Sequence, residues 1–148
     1  MKAVIQRVLS ASVSVEDNEV GCINRGLLIF IGVAKDDNSE DLDYLVKKTV
    51  GLRIFKDKDN NMNLSIQDVG GEALVVSQFT LCADTNKGRR PSFLNAASPE
   101  VADSMYQQYC EKLRKENISV KTGQFGEMME VKLINDGPVT ILLNSRER

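Results

Sequence analysis

Apolar residues follow two spacings along this chain, and the spacings change at polar punctuation. Residues 2–15 are rich in Val and Ile and contain neither Gly nor Pro, which predicts a long first strand. Glu16-Asp17-Asn18 supplies turn chemistry, and Val20 to Ile23 returns as a short partner. Gly26-Leu27-Leu28-Ile29-Phe30-Ile31-Gly32-Val33 is a continuous apolar run, the pattern of a buried strand. The period then changes. Leu42, Leu45, Val46, Thr49 and Val50 fall on one helical face, with Ser39 as the expected N-cap and Glu40 and Asp41 at the positive end of the dipole.

Leu52 to Phe55 reads as short and extended, and Asp57–Asn61 and Asp68–Gly71 read as turns. Ala73 to Leu81 reads as a strand, and Asp84 to Ser92 as a polar, basic loop. Ser98-Pro99 is a good helix opening, with Ser as N-cap and Pro at the first helical position. Ala102, Met105, Tyr106, Tyr109 and Leu113 form that helix's buried stripe. Ser119 to Thr122 is extended, and two strand-like runs, Val131–Asn135 and Val139–Leu143, end the pattern. The sum is an α/β (α+β) unit over 1–148: an antiparallel, barrel-like sheet with two packed helices, without linker or repeat.

Composition narrows the chemistry. At 148 residues, 42% apolar and 27% charged, the chain has the balance of a soluble globular protein with a real core. No apolar run approaches the roughly 20 residues of a membrane span. The first residues meet a charge too early for a secretory signal, and three widely spaced cysteines without C-x-x-C argue against a disulfide framework or zinc ribbon. A reducing cytoplasm is the expected location. There is no histidine, so a Ser-His-Asp or Cys-His site is impossible within this chain. No pair of carboxylates has metal-site spacing, and no cofactor motif is present, so neither a metal nor a cofactor is expected. Net charge is −2, so a nucleic-acid partner needs a local basic patch.

The two C-terminal runs are joined by Gly137-Pro138. Glycine lets another molecule approach its backbone, and proline fixes φ and donates no hydrogen bond. The step is either an ordinary trans turn in a hairpin loop or a cis bond that locks both residues. Ser77-Gln78-Phe79-Thr80 places three polar side chains where a strand emerges, as a site or as a sheet edge leaving the core. Lys87-Gly88-Arg89-Arg90-Pro91 is a compact cationic loop that grips phosphate or is simply solvated. Phe125-Gly126-Glu127-Met128-Met129 precedes the last runs, and methionine there is equally core filler.

In this order, Ser77-Gln78-Phe79-Thr80-Leu81, Lys87-Gly88-Arg89-Arg90-Pro91-Ser92-Phe93 and Asn135-Asp136-Gly137-Pro138-Val139-Thr140 closely resemble the D-aminoacyl-tRNA deacylase family. Val4-Ile5-Gln6-Arg7-Val8 and Met62-Asn63-Leu64-Ser65 fit too, and the resemblance spans essentially the whole chain. Cys82 stands where an aromatic is often found in that family.

The resemblance implies the family's fold and a hydrolase that frees a D-amino acid from the terminal adenosine of a tRNA. It implies a homodimer in which a Gly-cisPro step reaches into the partner's pocket as the chirality filter, here Gly137 and Pro138. By the same resemblance Ser77, Gln78, Phe79 and Thr80 form the reaction centre. Phe125, Gly126 and Met129 hold adenosine, Ala102 lies beside the pocket wall, and Arg7 supports the Gly-Pro loop. Lys87, Arg89 and Arg90 are the candidates for tRNA phosphate; neither DNA nor membrane is an expected partner.

An editor acting on many D-amino acids must read handedness alone, and a rigid backbone wall does so by excluding the L Cβ. Such overlap costs about 1–3 kcal/mol where the surroundings cannot relax. Glycine, lacking Cβ, is then expected to pass, including glycine misattached to alanine tRNA. Without histidine, the expected mechanism is water attack assisted by the ribose 2′-hydroxyl, with backbone N–H groups near Phe79 and Thr80 on the oxyanion; Thr80 as nucleophile is the alternative. Two readings from other classes compete. A non-catalytic RNA-binding module suits the basic loop, but five Phe, three Tyr and no Trp offer few stacking surfaces. An oligomeric scaffold predicts self-association without turnover.

Overall fold

In the computed structural model, residues 1–147 are described. Arg148, the last residue of the expected 1–148 unit, lies outside them. Strand β1 (Lys2–Val15) organises the rest. Along one edge its first half pairs antiparallel with β3 (Gly26–Gly32), and its second half with β2 (Asn18–Ile23). Its other edge pairs along nearly its whole length with β8 (Glu130–Asn144). Beyond β3 lie β6 (Glu72–Ser77) and then β7 (Ser119–Thr122). A small hairpin, β4 (Phe55–Lys56) and β5 (Met62–Leu64), stands apart.

The expected antiparallel sheet holds for every pairing of β1 and fails further out. β3–β6 and β6–β7 are parallel. The reason is connectivity: the chain between β3 and β6 carries helix α1 (Ser39–Gly51), and between β6 and β7 it carries α2 (Pro99–Lys115). Helical crossovers return the chain in the same direction. The sheet is therefore mixed, and it curls until β2 lies against β6 and β7, nearly closing a barrel.

Two cores follow from that curl. Leu27, Ile29, Ile31, Ala73 and Val75 face the helices, packing with Leu42, Leu45, Tyr106, Tyr109 and Leu113. Leu28, Leu74 and Val76 point the other way, into the curl, with Val8, Val13 and Ile23. β3 is apolar at every position because both of its faces are covered. Between the helices, the Thr49 and Tyr109 hydroxyls meet at 2.7 Å, and burial pushes the Tyr109 phenol well above its usual range. Burial also pushes the Cys110 thiol up to about 11. Among the described residues no helix is long and apolar enough to cross a membrane.

Local details depart from expectation at three places. Asn38, not Ser39, caps α1. Its side chain accepts from the Glu40 and Asp41 N–H groups, and the Asp41 carboxylate in return accepts from the Asn38 N–H at 3.0 Å. The cap moved one residue because Asn38 reaches both N–H groups from an extended backbone. Ser98 holds the expected cap position of α2, but its side chain makes no capping bond. The strand expected through Leu81 stops at Ser77, and residues Phe79–Cys82 wind into a 3₁₀ turn. Asn38→Ala will destabilise the fold by about 1 kcal/mol, whereas Ser39→Ala will stay within about 0.5 kcal/mol. Urea denaturation midpoints of the two variants check this; equal midpoints contradict it.

Candidate active site

Where β6 ends, Gln78 N–H donates to the Ile31 carbonyl at 2.7 Å, tying the turn to the end of β3. Leu81 and Ala83 N–H groups bond back to the Gln78 and Thr80 carbonyls. The turn leaves Phe79 and Thr80 exposed and Ser77 and Gln78 half-buried. Gln78 Nε2 donates to Thr80 Oγ1.

Facing this turn is the segment before β8. Gly126 has φ +80°, a left-handed geometry that only glycine takes without strain, and it reverses the chain after Phe125. Phe125 packs on Tyr106 of α2, whose hydroxyl donates to the Val75 carbonyl at 2.8 Å. Met129 folds back over Gly123, and its sulfur accepts from the Gln124 N–H at 3.4 Å. A Cβ at position 123 would lie 2.7 Å from that sulfur, so the glycine sets where the thioether sits.

These elements enclose a cleft of about 550 Å³. Ser77, Gln78 and Phe79, Ala102 at the start of α2, and Phe125, Gly126 and Met129 all line it, whereas Thr80, the next residue of the turn, does not. Sequence reasoning missed three small or cyclic lining residues, Ala96, Ala97 and Pro99. Their signal was the run of small side chains leading into α2, which leaves room for a ligand. Glu127 and Met128, between the assigned residues Gly126 and Met129, line the cleft as well.

The basic loop flanks this cleft. Asp84 and Ser92 exchange backbone hydrogen bonds at 2.8 and 2.9 Å, closing the loop at its base. Phe93 packs edge-on against Phe79 at 5.1 Å. Ala97 N–H and Lys35 N–H stitch the following residues to the end of β3. Lys87, Arg89 and Arg90 are thereby held exposed near the cleft without lining it.

The Gly-Pro step lies elsewhere. Its two flanking runs are one strand, β8, not the arms of a hairpin. Gln6 pairs with Thr140 and Val8 with Asn135, so residues 136–139 bulge out opposite the single residue Arg7. The Gly137-Pro138 bond is cis, and both residues are exposed at the tip. Arg7 is buried beneath the loop. Its Nε donates to the Asp136 carbonyl at 2.8 Å and lies 3.3 Å from the Asp136 carboxylate, and its Nη1 donates to the Ile54 carbonyl. Gly137 has φ +152°, and a Cβ there would meet Val139 Cγ2 at 2.6 Å and Arg7 Nη2 at 3.2 Å. Gly137 and Pro138 do not line the cleft of their own chain. Leu9, Ile134 and Leu142 on the same two strands are exposed apolar residues.

A curled mixed sheet roofed by two helices, with a polar strand end facing a glycine-methionine segment, is an architecture found in other proteins. A solved chain described as c-Myc DNA Unwinding Element Binding Protein superposes with TM-score 0.92 at 40% identity, covering 97% of this chain and 98% of its own. Another, described as a probable eukaryotic D-amino acid tRNA deacylase, shares the fold with TM-score 0.82 at 19% identity, over 96% and 97% of the two chains. The profile of the D-Tyr-tRNA(Tyr) deacylase family matches residues 4–144. Proteins named D-aminoacyl-tRNA deacylase from Clostridioides difficile (strain 630) and Thermotoga petrophila are each 54% identical to this chain over 145 residues, covering 98% of it and 97% of themselves. The chain belongs to the D-aminoacyl-tRNA deacylase family, a family of hydrolases.

Arg7→Lys will lower stability by about 1–3 kcal/mol, because one ammonium cannot span the Asp136 and Ile54 carbonyls and leaves a buried acceptor unpaired. Chemical denaturation reads this; an unchanged midpoint would show that the guanidinium fork is dispensable.

Proposed function

We propose that this chain hydrolyses the ester joining a D-amino acid to the terminal adenosine of a tRNA, releasing both, and that it works as a homodimer in the cytoplasm. One observation carries the reading. A stiffly held, side-chain-poor tip, Gly137-Pro138, stands outside its own cleft on a strand pair, β1 and β8, whose exposed apolar residues include Leu9, Ile134 and Leu142. A second copy packed against that strand pair covers exposed apolar surface and supplies a cleft for the tip.

In this proposal adenosine sits among Phe125, Gly126, Met129 and Ala102, and the ester faces Ser77, Gln78, Phe79 and Thr80. The partner's tip occupies the space an L Cβ needs, so discrimination is rejection of L rather than affinity for D. Glycine passes, including glycine misattached to alanine tRNA. Lys87, Arg89 and Arg90 meet phosphates near the acceptor end. The DNA element for which one structural neighbour is named stays with that protein; a net charge of −2 gives this chain no general attraction for a polyanion.

For the chemical step, the arrangement favours the substrate. Gln78 donates to Thr80 Oγ1, and a carboxamide is no base for its proton. Burial pushes the Cys82 thiol up, away from the thiolate a nucleophile needs. The ribose 2′-hydroxyl therefore assists the attacking water, and the backbone N–H groups of Phe79 and Thr80 stabilise the oxyanion, a contribution worth about 10²–10³ in rate.

The first experiment measures amino-acid release from D-tyrosyl-, L-tyrosyl- and glycyl-tRNA. Release from the D and glycyl substrates with L-tyrosyl-tRNA intact is expected; resistance of glycyl-tRNA alongside cleavage of D-tyrosyl-tRNA would overturn rejection as the basis of selectivity. Thr80→Ala should keep turnover within several-fold, while a tRNA ending in 2′-deoxyadenosine should lose it. The reverse pattern assigns attack to Thr80. Removing charge at Lys87, Arg89 and Arg90 should weaken tRNA binding and flatten its salt dependence by about one in log–log slope per lost phosphate contact, with the D/L ratio unchanged. An unchanged slope removes the loop from the interface.

A further inference from the structure

Arg7 anchors only the near foot of the 136–139 bulge. The far foot is held by a different side chain, that of Asn135. Its Oδ1 accepts from the Val139 N–H at 2.8 Å, and its Nδ2 lies 3.1 Å from the Val139 carbonyl oxygen. The same Nδ2 is 3.0 Å from Gln6 Oε1 and 3.3 Å from Thr140 Oγ1. One carboxamide thus engages both backbone polar groups of Val139 and ties them to β1. Val139 is buried, and its Cγ2 would be the first atom a Cβ on Gly137 met. The position of Val139 therefore fixes the position of the tip.

We propose that Asn135 is a positioning residue for stereochemical selection: it pins the far end of the Gly137-Pro138 loop so that the tip cannot yield to an L side chain. The proposal rests on the filter reading given above. It assigns to Asn135 no contact with substrate. A filter discriminates only as far as it resists displacement, and a loop held at one foot pivots about it. Only an amide serves, because the site needs one acceptor and a donor on the same planar group. Aspartate keeps the shape but turns an oxygen toward the Val139 carbonyl and Gln6 Oε1.

The test measures kcat/KM for D-tyrosyl-, L-tyrosyl- and glycyl-tRNA with Asn135→Ala and Asn135→Asp. The D/L ratio should fall at least tenfold in both, with L-tyrosyl turnover rising in absolute terms and rising relative to glycyl turnover. General loss of structure cannot raise an activity, so that rise separates positioning from mere support of the fold. Gly137→Ala is measured alongside. If it relaxes the D/L ratio while both Asn135 variants keep the wild-type ratio, the role of Asn135 is refuted and the filter stands. If all three keep the ratio, the filter itself is refuted. Amide exchange on the unaltered protein reads the clamp without any variant. Slow exchange at the Val139 N–H is expected, and exchange at the rate of an open loop would overturn the proposal.

Discussion

The arrangement depends on a buried guanidinium. Arg7 is the largest fully buried side chain among the described residues, set under the 136–139 bulge where β1 and β8 lose register. A buried cation is costly unless its donors are met, and here carbonyls from β8 and from the edge of the β4–β5 hairpin meet them beside the Asp136 carboxylate. The same contacts that make the charge tolerable also fix the loop. The small hairpin, which lines no part of the cleft, is thereby joined to the Gly-Pro loop through the Ile54 carbonyl.

A rigid tip is worth having only if it meets something. In its own chain it is exposed, while the cleft that could use it is lined by the 78–82 turn and the segment 125–129 and not by the tip. The proposed dimer resolves this by exchange: each copy supplies the filter for the other's substrate. Division of labour of this kind separates two conflicting demands. In the proposed dimer the cleft walls are left free to accept any D side chain. The proposed rejecting wall is made of backbone, whose shape no side-chain rotamer can change.

Much of this was legible in the residues. The period of apolar positions gave both helices and nearly every strand, and Ser77, Gln78, Phe79, Ala102, Phe125, Gly126 and Met129 do share one cleft. What was hidden depended on distant partners. The parallel pairing of β3, β6 and β7 is decided by helical crossovers, not by any strand's own pattern. The 3₁₀ turn at Phe79 interrupts a run whose apolar residues suit a strand equally well, because the Ile31 carbonyl captures the Gln78 N–H. Asn38 outcompeted Ser39 as a cap through two bonds that only the folded backbone brings within reach. The clamp at Asn135 was invisible for the same reason, since Gln6 and Val139 approach it only once β8 pairs with β1.

The central claim is that handedness is read by a neighbouring copy's backbone. Its most direct test is the crystal structure of the chain bound to a 3′-amide analogue of D-tyrosyl-adenosine. The account predicts a dimer with the partner's Gly137-Pro138 tip in van der Waals contact with the ligand's α-carbon, on the face where an L side chain would project. A complex whose ligand is fully enclosed by one chain, with residues 137–138 facing bulk solvent, would contradict it.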